Sequence, residues 1–282
     1  MPENTQPTGT LPAPLVAEAV RAALAEDLGL AGDITSQATL PVEATATATM
    51  SAREPGVIAG LPLAVEAFRQ MGGVSFEPMV ADGAAVAMGD VVARVSGNAR
   101  AMLGGERVAL NFVNHLSGIA TLTREFVRAI EGSGARITDT RKTTPGLRAF
   151  QKYAVRCGGG SNHRAGLDDA ILVKENHLRI AGGIAPAVAA LRNGLPIEVE
   201  AETLADVAEA LEVGVDRILL DNMSPATVAE AVELVAGRVP LEASGGMSLA
   251  TVRAYAETGV DFISVGALTH SARSLHVSLE VE

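Results

Sequence analysis

The chain has 282 residues, a formal net charge of −11, 48% apolar side chains and only 3% aromatics. Its length allows one large or two smaller domains, and a core of Ala, Val, Leu and Ile without Trp favours a helix-covered sheet over an aromatic-rich β-sandwich. The acidic balance argues against broad nucleic-acid binding, and the single cysteine, Cys157, leaves no intramolecular disulfide and fits a reducing, cytoplasmic setting.

Residues 1–14 lack the basic start and apolar run of a secretory signal, and their Pro- and Thr-rich composition is that of a disordered segment. No later stretch approaches the roughly 20 uninterrupted apolar residues of a membrane span. Residues 1–115 read as an α+β domain, an open sandwich built on an antiparallel sheet. Its signals are helix-forming VAEAVRAALAEDLG (16–29), alternating ATATATMSA (44–52), helical PLAVEAFRQMG and a hairpin-like pair around Asp82–Gly83 and Gly89–Asp90. A largely helical segment over 103–130 joins this half to the next. From residue 116 the pattern becomes strand, loop, helix, repeated. The predicted strands are RITDT (136–140), DAILV (169–173), PIEVE (196–200), DRILLD (216–221), VPLEA (239–243) and DFISVG (261–266). Ser224 reads as an N-cap ahead of Pro225, Ser248 as the cap of LATVRAYAET, and Gly259 as that helix's stop. The pattern over 116–282 predicts an α/β fold, an incomplete (β/α) barrel with fewer strands than the usual eight. The tail HVSLEVE (276–282) alternates like a strand and is expected to return to the first domain.

All three lysines, Lys142, Lys152 and Lys174, lie in one neighbourhood. Residues 136–179 carry nine cationic and four acidic side chains, a local charge of +5 in an acidic protein. Such concentration suits an anionic ligand. In a (β/α) barrel the active site lies at the C-terminal ends of the strands. There the sequence places Thr140, Arg141 and Lys142, then Lys174, Glu200, Asp221, the Ser244–Gly245–Gly246 turn and Gly266. The glycine turns suit phosphate, because backbone N–H groups can approach an anion closely there. Glu200 and Asp221 suit Mg²⁺ on a diphosphate, sugar hydroxyls or a developing cation, or else a structural ion pair with Lys174 or Arg141. Thr143–Gly146 should open a short helix carrying Arg148, Lys152 and Arg156 as a solvated cationic face, and Gly158–Gly160 should then turn His163 and Arg164 back to the rim.

Eight ordered motifs make a further statement possible: EDLGLAGDITS (26–36), GERVALNFVNHLSGIATLT (105–123), DTRKTTPGLRAFQKYAVRCGGGSNHRAGL (139–167), LVKENH (172–177), EVE (198–200), LLDN (219–222), EASGG (242–246) and VGALTHS (265–271). Over about residues 24–281 the chain closely resembles the quinolinate phosphoribosyltransferases. It departs at Asn114–His115, where a Gln–Arg pair is commoner, and at Ser161, where an apolar residue is usual. The resemblance implies a reaction of quinolinate with phosphoribosyl pyrophosphate (PRPP) that yields nicotinate mononucleotide, pyrophosphate and CO₂, with Mg²⁺ required. It implies that Arg141, Lys142, His163, Arg164 and Lys174 hold the quinolinate carboxylates. Arg107 would join them from the other subunit of a homodimer. Glu200 and Asp221 would contact the ribose and its metal-bound diphosphate, and Ser244, Gly245, Gly246 and Gly266 would cradle phosphate. Lys142, Lys174, Glu200 and Asp221 are the candidate catalytic residues. The rival readings are a paralogous phosphoribosyltransferase for another acidic base, a Schiff-base aldolase using Lys174, and a PRPP-sensing module without turnover.

Overall fold

A computed structural model describes residues 9–191 and 194–282, so residues 1–8 of the predicted disordered segment lie outside the described residues. The rest of that segment is partly helical. Helix α1 (Ala13–Leu28) already includes Ala13 and Pro14, because a proline in the first turn brings a fitting φ and lacks only an N–H that would be unbonded there. Helix α2 (Ile34–Thr39) is capped by the Asp33 side chain, which accepts from the Ser36 N–H. Strands β1 (Thr45–Ala52) and β2 (Gly56–Val57), helix α3 (Leu61–Met71), and strands β3 (Val74–Pro78), β4 (Ala85–Val86) and β5 (Val91–Asn98) follow. Helix α4 (Ala99–Ala129) is long. The repeating part then runs β6 (Arg136–Thr138), α5 (Arg148–Cys157), β7 (Ile171–Val173), α6 (Glu175–Ala181), α7 (Ile184–Ala189), β8 (Ile197–Ala201) and α8 (Leu204–Glu212). It continues with β9 (Arg217–Asp221), α9 (Pro225–Val235), β10 (Leu241–Ser244), α10 (Val252–Ala256), β11 (Phe262–Ser264) and α11 (Ala267–His270), and the chain closes with β12 (Val277–Val281).

The chain divides into two compact units. One takes in the described residues of 7–122, 149–159 and 272–282, and the other those of 123–148 and 160–271. The first is built on an antiparallel sheet of order β12-β1-β5-β3, so the tail strand pairs with β1. The residues around Asp82–Gly83 and Gly89–Asp90 do not form a simple hairpin. They are turns on either side of β4, which pairs with β2, while β3 pairs directly with β5. The Asp82 side chain accepts from the Gly60 and Leu61 N–H groups at the start of α3, and from the Tyr153 hydroxyl at 2.7 Å. Val20, Leu63, Phe68, Val95 and Met102 are among its fully buried core residues.

The second unit holds six parallel strands in the order β6-β11-β10-β9-β8-β7. The first strand in sequence lies beside the last, as in a barrel, and β6 and β7 do not pair with each other. The predicted six strands and incomplete closure are therefore found. The gap is partly filled by Ser161, which bridges in parallel to Thr138. Val199, Ile218, Leu220, Ala243 and Ile263 are buried on these strands, the β-branched and aliphatic set a helix-covered parallel sheet needs. Ser224 caps α9 as expected, accepting from the Thr227 N–H. Ser248 does not cap a long helix: 248–251 form a turn and α10 starts only at Val252. No helix among the described residues is long and apolar enough to cross a membrane.

Candidate active site

The C-terminal strand ends of the parallel sheet border a cleft of about 520 Å³, within the usual range for small-molecule sites. Thr140, Arg141, Lys142, His163, Arg164, Lys174, Glu200, Asp221, Ser244, Gly245 and Gly246 all line it, so one cleft gathers most of the predicted site. Two predicted residues are not in its lining. Gly266 precedes α11, and a side chain there would press on the Lys142 Cδ at 3.3 Å, so it borders the site through Lys142. Arg107 is exposed on α4.

Period-two alternation sets the side chains in tiers. Lys174, Glu200, Asp221 and Ser244 stand at the mouth, although the register is staggered and sets Glu200 opposite Leu219. One step down each strand lie Leu172, Glu198, Leu219 and Glu242, with Ser264 beside them. In the upper tier Lys174 Nζ sits 2.7 Å from Glu200 Oε2, the ion pair expected of an acid and an amine on neighbouring strands. The Asn222 side-chain amide donates to Asp221 Oδ2 at 2.6 Å, and the Asn222 N–H to the Ser244 carbonyl at 2.9 Å. Gly245 has φ +105°, and a side chain there would meet Asn222 Oδ1 at 2.1 Å, so both backbone conformation and space require glycine. The predicted helix end behind this turn is absent, because α10 begins six residues later. Any anion there would rely on backbone N–H groups of the turn.

The cationic loop is arranged unevenly. Arg164 donates Nη1 to the Ala170 carbonyl at 3.1 Å. Burial and then the neighbouring Arg141 charge lower its basicity, while Glu198 and Asp169 act the other way. The Nε atoms of Arg141 and Arg164 are buried and make no hydrogen bond among the described residues. The expected solvated face on α5 is not found. Lys152 is buried, Arg156 lies over the Tyr153 ring and donates to the Gly9 carbonyl, and Arg148 donates to Thr143 Oγ1 and the Ala165 carbonyl. The helix buries most of its circumference, which a cationic i, i+4 pattern does not reveal. Burial pushes the Cys157 thiol up to about 12, which makes it an inert core residue.

His163, expected at a substrate carboxylate, is engaged at both ring nitrogens. Its Nδ1 accepts the Arg164 N–H at 2.8 Å, and its Nε2 lies 3.0 Å from Glu198 Oε2 and 3.5 Å from Glu242 Oε1. Burial works against a charge on the ring; the Glu198 hydrogen bond and the Glu242 and Glu198 charges outweigh it, with Arg217 opposing them, and raise its basicity. Glu242 is fully buried, paired with Arg217 Nη1 at 2.9 Å, and accepts from Ser264 Oγ. Burial and then the Glu198 charge raise its pKa. The three ligand-type atoms of His163, Glu198 and Glu242 lie within 4.8 Å of one another, but Arg217 already supplies a positive charge there. Sequence reasoning passed over Glu198, Glu242 and Arg217. The signal was present, since period two puts Glu198 on the face of Glu200 and Glu242 on that of Ser244.

The sequence matches the family described as quinolinate phosphoribosyl transferase, N-terminal domain, over residues 33–117 and C-terminal domain over 119–280. The chain belongs to the quinolinate phosphoribosyltransferase family. Among its relatives in that family is a probable nicotinate-nucleotide pyrophosphorylase (carboxylating) of Synechocystis, 48% identical over 92% of this chain and 90% of the relative. The enzyme of that name from Mycobacterium leprae is 45% identical over 94% and 96%. The solved nicotinate-nucleotide pyrophosphorylase of Francisella tularensis, 41% identical, superposes with a TM-score of 0.94 over 99% of this chain and all of the other. The quinolinate phosphoribosyltransferase fold thus runs through both compact units.

Proposed function

We propose that the protein transfers phosphoribosyl from PRPP to quinolinate with loss of CO₂, giving nicotinate mononucleotide and pyrophosphate for NAD biosynthesis. Family membership supports this reading, and the observation that carries it at the site is the Arg141–Arg164 pair. Two neighbouring guanidiniums, one of them with its basicity lowered by burial and by the other's charge, and each with a buried Nε that makes no hydrogen bond among the described residues, suit a ligand bearing two carboxylates. Lys142 and Lys174 complete the dianion site as point charges, and Thr140 adds a hydroxyl. Lys174 is also held by Glu200, an arrangement that suits a cation better than a Schiff-base nucleophile.

Glu200 and Asp221 suit the ribose side. Each uses one oxygen on a neighbour, and two carboxylates with phosphate oxygens are the donor set Mg²⁺ prefers. Bound there on the diphosphate, Mg²⁺ would neutralise the leaving pyrophosphate. The two acids face the positive charge that develops at the ribose as pyrophosphate departs. Ser244, Gly245 and Gly246, with Gly266 beside Lys142, suit the phosphate. After decarboxylation the ring carbon carries negative charge, which Lys174 offsets. We also propose a homodimer in which Arg107 of each subunit serves the other's site, and a cytoplasmic location, in keeping with a lone buried cysteine.

The test is release of CO₂ from carboxyl-labelled quinolinate with and without PRPP and Mg²⁺. Release that needs both supports the reading. PRPP consumption with nicotinate and none with quinolinate would replace it with the paralogous activity.

A further inference from the structure

We propose that Glu198 and Glu242 are positioning residues for the carboxylate-binding loop, acting through His163 to fix the chain where it delivers Arg164 to the cleft. An N–H donor points at Nδ1, so that nitrogen carries a lone pair and the ring proton sits on Nε2. Nε2–H then faces Glu198 Oε2 at 3.0 Å and Glu242 Oε1 at 3.5 Å, within ion-pair range of both acids. The acids beside Nε2 raise the ring's basicity, whereas the Arg164 N–H aimed at Nδ1 opposes a second proton there, so the ring holds one. No ring N–H is left for a substrate.

His163 is also held along its backbone, where its N–H donates to Asp139 Oδ1 at 2.9 Å, while Asn162 donates to Asp139 Oδ2 at 2.5 Å. Asp139 just past the end of β6, Glu198 on β8 and Glu242 on β10 therefore converge on one residue of the loop, and the next residue is Arg164. Its backbone N–H is itself part of the linkage. The acids are a costly way to fill this tier, which barrels commonly fill with branched apolar residues. Glu198 and Glu242 are 4% and 0% exposed, with one guanidinium, Arg217, on Glu242. Apolar replacement of buried ionic clusters is often neutral or stabilising, so packing alone gives no reason for them. Orienting a histidine is a role carboxylates commonly take.

The kinetic part of the test rests on the activity proposed above, and the spectroscopic part does not. Glu198→Gln keeps an acceptor without charge, whereas Glu198→Leu removes it. We expect Glu198→Leu to raise the quinolinate KM roughly 10- to 100-fold, by analogy with the loss when the outer partner of a metal-bound histidine is removed. The PRPP KM should stay within about threefold, and Glu198→Gln should restore most of the loss. An unchanged quinolinate KM in Glu198→Leu overturns the proposal. So does an equal loss in Glu198→Gln, which would assign the effect to charge. Nitrogen NMR of substrate-free, ¹⁵N-histidine-labelled protein, assigned with His163→Asn, should give one protonated and one bare ring nitrogen for His163 at about pH 7. Two protonated nitrogens overturn the linkage whatever the substrate proves to be. If Glu198→Leu fails to fold, Glu198→Gln and this spectrum decide the matter.

Discussion

A guanidinium beside another guanidinium is costly until an anion lies between them, and that cost is what makes Arg164 informative. Burial and Arg141 both lower its basicity, and its remaining donors are fixed by the plane of the fork. Lysine would keep the charge and lose the fork. Arg164→Lys should therefore raise the quinolinate KM, with a loss in kcat/KM of at least about tenfold, the scale of one charge-assisted hydrogen bond. The PRPP KM should stay near its wild-type value. An equal rise in both constants would place Arg164 outside the dianion site. The mouth residues were legible in the sequence because predicted strands ended on, or led directly into, a chemically loaded residue, as at Lys174, Glu200 and Asp221. The tier beneath was not read. Glu198 and Glu242 sit in the quoted EVE and EASGG motifs, but an acid inside an apolar strand gains meaning only once its neighbours across the sheet, Arg217 and Ser264, are known. His163 lines the cleft as expected, but a histidine beside an arginine gives no hint in the sequence of which way its ring turns.

Elements are held by close approaches that composition does not display. On α4, a side chain on Gly118 would meet the Arg273 carbonyl oxygen at 2.0 Å and Ser274 Cα at 2.9 Å, where the chain approaches β12. The obstacle is backbone, which cannot rotate away. Gly118→Ala should cost about 3 kcal/mol despite alanine's better helix propensity. Urea unfolding would measure it, and a neutral result would mean that the tail yields easily. Three residues earlier, His115 faces Gln151 at 2.9 Å, and burial lowers its pKa from the ordinary 6.5. The unfolded chain binds this proton more readily, so the histidine's contribution is present above its ordinary pKa and lost as pH falls through the folded value. His115→Gln should flatten the fall in Tm below about pH 6.5, and the difference between variant and parent isolates His115 from the other titrating groups. A parallel pair of curves would refute the assignment. Period-two strands and the Ser224 cap were readable from local chemistry. Ser248 was misread because a serine can open a turn as readily as a helix, and tertiary packing delayed α10 to Val252.

At the scale of the whole molecule the expected boundary near residue 115 fell inside a continuous helix. The first compact unit also takes in 149–159 and the tail, joined through contacts that no linear reading orders. Assembly is further from the sequence still. Arg107 entered only through the family resemblance, it is exposed on α4, and the cleft lining does not include it. If it serves the partner's site, two inactive variants should repair each other. Arg107→Ala lacks the donated cation, and Glu200→Ala lacks an acid of the receiving cleft. In a two-fold dimer of one subunit of each kind, both defects fall on one site and the other site is intact. Random reassortment makes half the dimers mixed, each with one working site, so activity should recover to about a quarter of wild type. If Arg107 served its own subunit's cleft, each site of a mixed dimer would carry one defect and nothing would be regained. Activity that stays at the level of the separate variants, with mixed dimers verified by differently tagged subunits, would remove Arg107 from the shared site.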